Sequence, residues 1–200
     1  MRKLLIATRN KGKIPEIKAK LDGLDFEFVS LEDVEAIPDD FDVEETGKTF
    51  EENAILKARA YGDMSGLLTL AEDSGLCIDA LDGRPGVHTA RYGSKNNVEK
   101  NKQLLEELKS IPEEERGASY VSAGAIYDPG SGRLETFEGI YRGRIANEPM
   151  GDNGFGQDPI FFNAEKNRTN AQMSLEEKNA VSHRGKMLDR AREILLRGFS

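Results

Sequence analysis

Two β-rich runs, Ser119–Tyr127 and Leu134–Arg142, flank the stretch Asp128-Pro-Gly-Ser-Gly132. Apolar and aromatic runs joined by such a cluster of turn formers read as a long hairpin. Elsewhere the chain switches between short apolar runs and segments of helical period. Lys3–Ala7 and Phe26–Ser30 read as strands. Between them Ile14, Ile17 and Leu21 recur at helical spacing, with Pro15 in the first turn, where a missing N–H costs little. A hairpin combined with strand–helix–strand units predicts an α/β fold: a mixed β-sheet with flanking helices.

Thr49-Phe-Glu-Glu52 reads as a capping box, with Glu52 reaching back to the cap. The helix it opens carries Phe50, Ala54, Ala58 and Tyr61 on a core stripe, and Asn53 and Lys57 share another face. Gly66–Ala71 and Leu76–Ala80 predict two strands around a turn, Glu72-Asp73-Ser74-Gly75. Val98–Ile111 predicts a helix with Val98, Leu104, Leu105, Leu108 and Ile111 inward. A glycine-rich loop spans 143–158, and Pro159–Phe162 predicts a short strand. Ser174-Leu-Glu-Glu177 is a second capping box, and the last helix covers about Arg184 to Arg197.

The 200 residues suit one large domain or two closely joined lobes, spanning 1–200. With 28 Lys+Arg against 36 Asp+Glu, a net charge of −8 argues against a general binder of nucleic-acid backbone and leaves room for a local basic pocket for a small anion. No apolar run approaches the roughly 20 residues that span a bilayer, so no membrane partner is expected. The apolar run after Met1-Arg-Lys3 is too short for a signal peptide, which needs about 7–15 residues there. One cysteine, Cys77, excludes an internal disulfide and fits a reducing cytoplasm.

Four stretches carry chemistry. The turn after the first strand holds Thr8, Arg9, Asn10, Lys11, Gly12 and Lys13. A helix N-terminus presents backbone N–H groups and a partial positive charge, so these cations and hydroxyl and amide groups suit a polyphosphate; an exposed basic turn is the alternative. The pairs Glu44-Glu45 and Glu72-Asp73 are hard oxygen donors of the kind that hold Mg²⁺ alongside phosphates. From the residues alone Glu44-Glu45 reads more readily as part of a solvated acidic loop, and Asp73 also reads as a turn former at a sheet edge. In Gly154-Phe-Gly-Gln-Asp-Pro159, Phe155 suits stacking on a base or simple anchoring of a flexible loop. Lys178, His183 and Arg184 supply donors for a base, or solvated charges around a helix cap at Ser182. His88 has no Cys or His at zinc spacing, and Cys77 reads as a core thiol.

Taken together, Ala7-Thr-Arg-Asn-Lys-Gly-Lys13, Glu44-Glu-Thr-Gly-Lys-Thr-Phe-Glu-Glu-Asn-Ala54 with Lys57, Ala71-Glu-Asp-Ser-Gly-Leu76, Gly154-Phe-Gly-Gln-Asp-Pro159 and Ser182-His-Arg-Gly185 resemble, in order, the inosine triphosphate pyrophosphatase family. The resemblance implies a long curved mixed sheet, two lobes around a deep cleft, and a homodimer. It also implies hydrolysis of non-canonical purine nucleoside triphosphates (ITP, dITP, XTP) to monophosphate and pyrophosphate. Carried over, Asp73 is the general base, and Glu44 with Asp73 holds Mg²⁺. Thr8, Arg9, Asn10, Lys11, Gly12, Lys13, Lys57 and Ser74 meet the phosphates or sugar. Phe155, Gly156, Gln157, Asp158, Lys178, His183 and Arg184 form the base pocket. A non-catalytic nucleotide sensor is the competing reading, opposed by the carboxylates beside the phosphate site.

Overall fold

The computed structural model describes residues 1–94 and 96–199, with the backbone alone for Leu175 and Asn179. Among them, seven strands form one mixed sheet: β1 (Arg2–Ala7), β2 (Phe26–Ser30), β3 (Leu68–Ile78), β4 (Gly117–Asp128), β5 (Arg133–Ile145), β6 (Phe161–Asn163) and β7 (Arg168–Thr169). The order is β2-β1-β3-β4-β5-β6-β7. β1 runs parallel to β2 and β3, and β6 antiparallel to β5 and β7. Five α-helices accompany it: α1 (Lys13–Leu21), α2 (Phe50–Ser65), α3 (Asn97–Glu107), α4 (Leu175–Val181) and α5 (His183–Gly198). No described helix is long and apolar enough to cross a membrane.

The chain divides into two compact units. The first comprises Met1–Asp73, Ser122–Gly139 and the segment from Arg184 onward. Its core follows from the alternation of β1. Leu4 and Ile6 face one layer with Ile17 and Leu21 of α1 and Met187, Leu188, Ala191 and Leu195 of α5. Leu5 and Ala7 face the other with Ala54, Ala58 and Tyr61 of α2. Period-2 alternation on the strand thus meets period-3.6 stripes on both sides. The hairpin β4–β5 closes at Asp128, whose carbonyl accepts from the Gly132 N–H at 2.8 Å. α2 stops at Gly66, whose φ of +68° suits a residue without Cβ, and whose N–H returns to Gly62 O.

The second unit comprises Ser74–Val121 and Ile140–His183. Leu76, Ile78, Leu104, Leu108, Tyr141, Ile145, Ile160 and Phe161 form its core. α3 ties down the short helical segment Gly86–Arg91: Lys100 Nζ donates to the Thr89 and Ala90 carbonyls at 3.0 and 3.1 Å.

The structure departs from the local sequence reading at four places. Glu72-Asp73-Ser74-Gly75 is no turn; it lies inside the single eleven-residue strand β3, which has β1 on one side and β4 on the other. The Glu52 carboxylate accepts from the Lys48 N–H (2.5 Å), one residue before the Thr49 cap, while Thr49 Oγ1 accepts from the Glu52 N–H as expected. α3 ends at Glu107, and Val98 is 64% exposed, so only the later part of its predicted stripe is buried. The strand predicted over Pro159–Phe162 begins at Phe161.

Candidate functional site

In the first unit, parallel pairing sets Ala7 of β1 beside Ala71 of β3. That register brings the turn leaving β1 next to the residues following Ala71, Glu72 and Asp73. The turn is tied back on itself. Asn10 N–H donates to Thr8 Oγ1 (3.2 Å), Gly12 N–H to Asn10 Oδ1 (3.0 Å) and Lys13 N–H to Asn10 O (3.0 Å). No side chain caps α1 at Gly12, so the positive end of the helix dipole is left for another partner. Lys11 reaches outward to Glu32 (2.8 Å), both exposed, a pair of small energetic consequence.

Glu72, with its side chain 2% exposed, gathers the cations. Lys13 Nζ lies 2.9 Å from its Oε1. Arg184 Nε donates to both its oxygens at 3.1 and 3.2 Å, and Ser122 Oγ donates to Oε2 at 2.9 Å. Arg184 Nη1 continues to Glu16 Oε2 at 2.8 Å. Burial alone would push the Glu72 carboxyl up; the Lys13 and Arg184 charges, helped by Lys13 and Ser122 hydrogen bonds, hold it far below the ordinary range. Burial lowers Arg184, and the Glu72 and Glu16 charges more than offset this.

Asp73 follows, 8% exposed. Asn53 Nδ2 donates to its Oδ2 at 2.9 Å, and the Gly47 N–H fixes that amide by donating to Asn53 Oδ1 at 2.8 Å. Lys57 Nζ stands between two carboxylates, 3.7 Å from Asp73 Oδ1 and 2.6 Å from Glu45 Oε1. The shared face of Asn53 and Lys57 is therefore the face that addresses Asp73. Glu44 is exposed. Among the described residues, no three His, Cys, Asp or Glu side chains gather into a metal cage. Two carboxylates sharing one cation still form a donor set that fits a hard dication whose remaining positions are filled by phosphate oxygens and water.

The second unit holds its own cluster. Gly154 (φ +76°) opens the loop in a conformation that disfavours a side chain. Asp158, 2% exposed, accepts from the Phe155 N–H (2.9 Å), Lys178 Nζ (2.5 Å) and Asn170 Nδ2 (3.2 Å). Lys178 Nζ also lies 4.6 Å from the centroid of the Phe155 ring, which is 66% exposed. Buried Gln157 offers its carbonyl to the Ile160 and Phe161 N–H groups, both at 3.0 Å. The Gly156 carbonyl accepts from Asn101 Nδ2 of α3 at 3.0 Å. His183 stacks on Tyr120, ring centroids 5.0 Å apart at 14°. Ser74 is half-buried in this unit's part of β3.

Lys13 of the expected phosphate turn thus meets Glu72, and Lys57 meets Asp73 and Glu45, in one unit, while Phe155, Asp158 and Lys178 meet in the other. Arg184, expected with the base pocket, lies on Glu72 and Glu16 in the first unit. Sequence reading passed over Ser122, the bond from Asn53 to Asp73, and Asn101. Polar residues on a strand or helix carry no local mark of a partner dozens of positions away.

A model of the Ham1 family matches residues 4–194. A dITP/XTP pyrophosphatase of Geobacter sulfurreducens is 53% identical over 190 residues, 94% of either chain. One of Symbiobacterium thermophilum is 48% identical over 194 residues, 97% of this chain and 95% of that one. A HAM1 protein from Coxiella burnetii superimposes with a TM-score of 0.91 at 38% identity, covering 99% of this chain and 100% of that one. A nucleoside-triphosphatase / dITP/XTP pyrophosphatase from Mycobacterium abscessus gives 0.79 at 44% identity, covering 98% and 99%.

Proposed function

The chain belongs to the Ham1 family, and from that premise we propose that it hydrolyses non-canonical purine nucleoside triphosphates (ITP, dITP and XTP) to the monophosphate and pyrophosphate. The observation that carries this reading is the meeting, within one unit, of an uncapped helix start and Lys13 and Lys57 with the carboxylates of Glu72, Asp73 and Glu45. A nucleotide sensor has no use for carboxylates beside phosphates, whereas a hydrolase needs a base for water.

In the proposed reaction Asp73 accepts the proton of a water attacking the α-phosphorus, and pyrophosphate departs. Asn53 holds the Asp73 carboxylate in one orientation. Thr8, Asn10 and the Lys13 side chain, at the positive end of the α1 dipole, bind the triphosphate, with Lys57 beside them. Positioning and charge neutralisation supply most of the rate in phosphoryl chemistry. Mg²⁺ is the metal such carboxylates suit, and Asp73 with Glu44 would hold it, with Glu45 beside them on Lys57. When bound, it neutralises charge that builds on the phosphate oxygens.

The base is read by hydrogen-bond polarity. Hypoxanthine and xanthine carry a 6-oxo acceptor where adenine carries a 6-amino donor. Lys178 and His183 supply donors, and Asp158 fixes Lys178. A site built to hydrogen-bond one group rejects an analogue lacking it by roughly 10⁴. His183→Ala is therefore expected to lower the ITP-to-ATP ratio of kcat/KM at least tenfold; an unchanged ratio takes His183 out of base reading. The protein works in the cytoplasm as a homodimer on a small-molecule nucleotide.

The test is pyrophosphate release from ITP, dITP, XTP, GTP and ATP, with and without Mg²⁺. Pyrophosphate from the first three, lost on chelation, is expected. Orthophosphate as the first product overturns attack at the α-phosphorus.

A further inference from the structure

The segment between residues 38 and 42 is fastened at one point. Arg9 Nη2 donates to the Pro38 carbonyl at 2.9 Å and the Phe41 carbonyl at 2.6 Å. The Phe41 N–H returns to Pro38 O at 3.0 Å, so both carbonyls belong to one tight turn. Asp42 accepts from the hydroxyl of Tyr61 at 3.2 Å, and the Phe41 ring meets Tyr61 edge-on at 5.6 Å and 88°. Tyr61 is 1% exposed in the core beneath α2. Two and three residues beyond Asp42 the chain reaches Glu44 and Glu45, and Glu45 is held by Lys57.

We propose that Arg9 is a positioning residue that latches the acidic segment 38–42 onto the turn leaving β1, and thereby sets the approach of Glu44 and Glu45, instead of ligating phosphate. This rests on the pyrophosphatase reading only for its consequence in catalysis; the latch itself is a matter of folded geometry. Two carbonyls held by one guanidinium is a task that charge alone does not perform. Both bonds leave the same nitrogen, Nη2, so what a lysine lacks is reach: its ammonium keeps the charge but sits on a shorter stem. The segment also carries Asp39, Asp40 and Asp42, so without the latch this acidic stretch rests on the buried Ile37 and on the contacts of Phe41 and Asp42 with Tyr61.

The experiment compares the full chain with Arg9→Ala and Arg9→Lys, without nucleotide, by amide hydrogen exchange, and measures inhibition by inorganic pyrophosphate. Exchange across residues 38–45 is expected to quicken roughly tenfold in both variants, with β4 and α5 exchanging as in the parent. The pyrophosphate inhibition constant is expected to move less than about twofold. Parent-like exchange in Arg9→Ala overturns the proposal. So does inhibition weakened tenfold in Arg9→Ala and restored in Arg9→Lys, the signature of a phosphate-binding charge. Should the parent chain release no pyrophosphate from ITP, the functional reading fails while the exchange result still decides the latch.

Discussion

Asp73→Asn is expected to lower turnover of ITP by about 10²–10⁴-fold, the range that a general base contributes, while leaving nucleotide affinity within a few fold. The substitution is nearly isosteric. The new carboxamide still presents an oxygen to the Asn53 amide, so the strand and the α2 face are retained. What it loses is the charge that takes a proton from water and that would help hold Mg²⁺, although a neutral amide oxygen remains for the metal. Affinity is expected to hold because Lys13 and the α1 N-terminus, proposed above to attract the triphosphate, do not depend on Asp73 for their placement; Lys13 is set by Glu72. The measurements are the pyrophosphate-release rate at saturating ITP and Mg²⁺, and calorimetric binding of a non-hydrolysable ITP analogue. Parent-like turnover removes Asp73 as base. Binding and turnover lost together would make it a binding residue. Asn53→Ala provides a graded control: the base remains but its orientation relaxes, so kcat falls by less, and KM changes little.

The strand–turn–helix at the start was legible because its cues are local. A continuous apolar run is followed by polar turn residues and then by Ile14, Ile17 and Leu21 at helical spacing. The error at Glu72-Asp73-Ser74-Gly75 came from the same kind of reasoning. Acidic residues followed by Ser-Gly read as a turn because unpartnered carboxylates do not survive inside a sheet. Their partners exist, but Ser122 and Arg184 lie 50 and 112 positions away from Glu72, and Asn53 lies 20 before Asp73. No periodicity reports such pairs. For the same reason Arg184 read as a neighbour of His183, its neighbour in sequence. At the head of α5 adjacent side chains diverge: His183 turns to Tyr120 and Arg184 to Glu72.

The buried carboxylate at the centre of these pairs yields the other large effect. Glu72→Gln is expected to destabilise the fold by about 3 kcal/mol or more, because removing one member of a buried ionic cluster leaves its partners uncompensated. For a chain of this size that is a fall in Tm of roughly 10 °C. The loss should depend on pH in a defined direction. Folded Glu72 has its pKa held far below the ordinary carboxylate value, whereas in the unfolded chain it titrates near about 4.3. Its contribution is thus complete above that value. It is lost as pH falls and the unfolded chain takes up a proton that the folded chain refuses. The stability gap between parent and Glu72→Gln, by urea unfolding, should be widest near pH 7 and narrow steadily from about pH 5 to pH 3. Other carboxylates titrate in both proteins and cancel in the difference. A gap that stays level over that range means that Glu72 contributes shape and not charge. Kinetics separate its two conceivable roles. As the anchor of Lys13, its neutralisation leaves more uncompensated positive charge facing the triphosphate, so KM should hold or fall while stability drops. As a donor to Mg²⁺, the half-saturating metal concentration would rise with stability preserved. The dense set of bonds from Lys13, Arg184 and Ser122 already saturates its oxygens, which argues for the first.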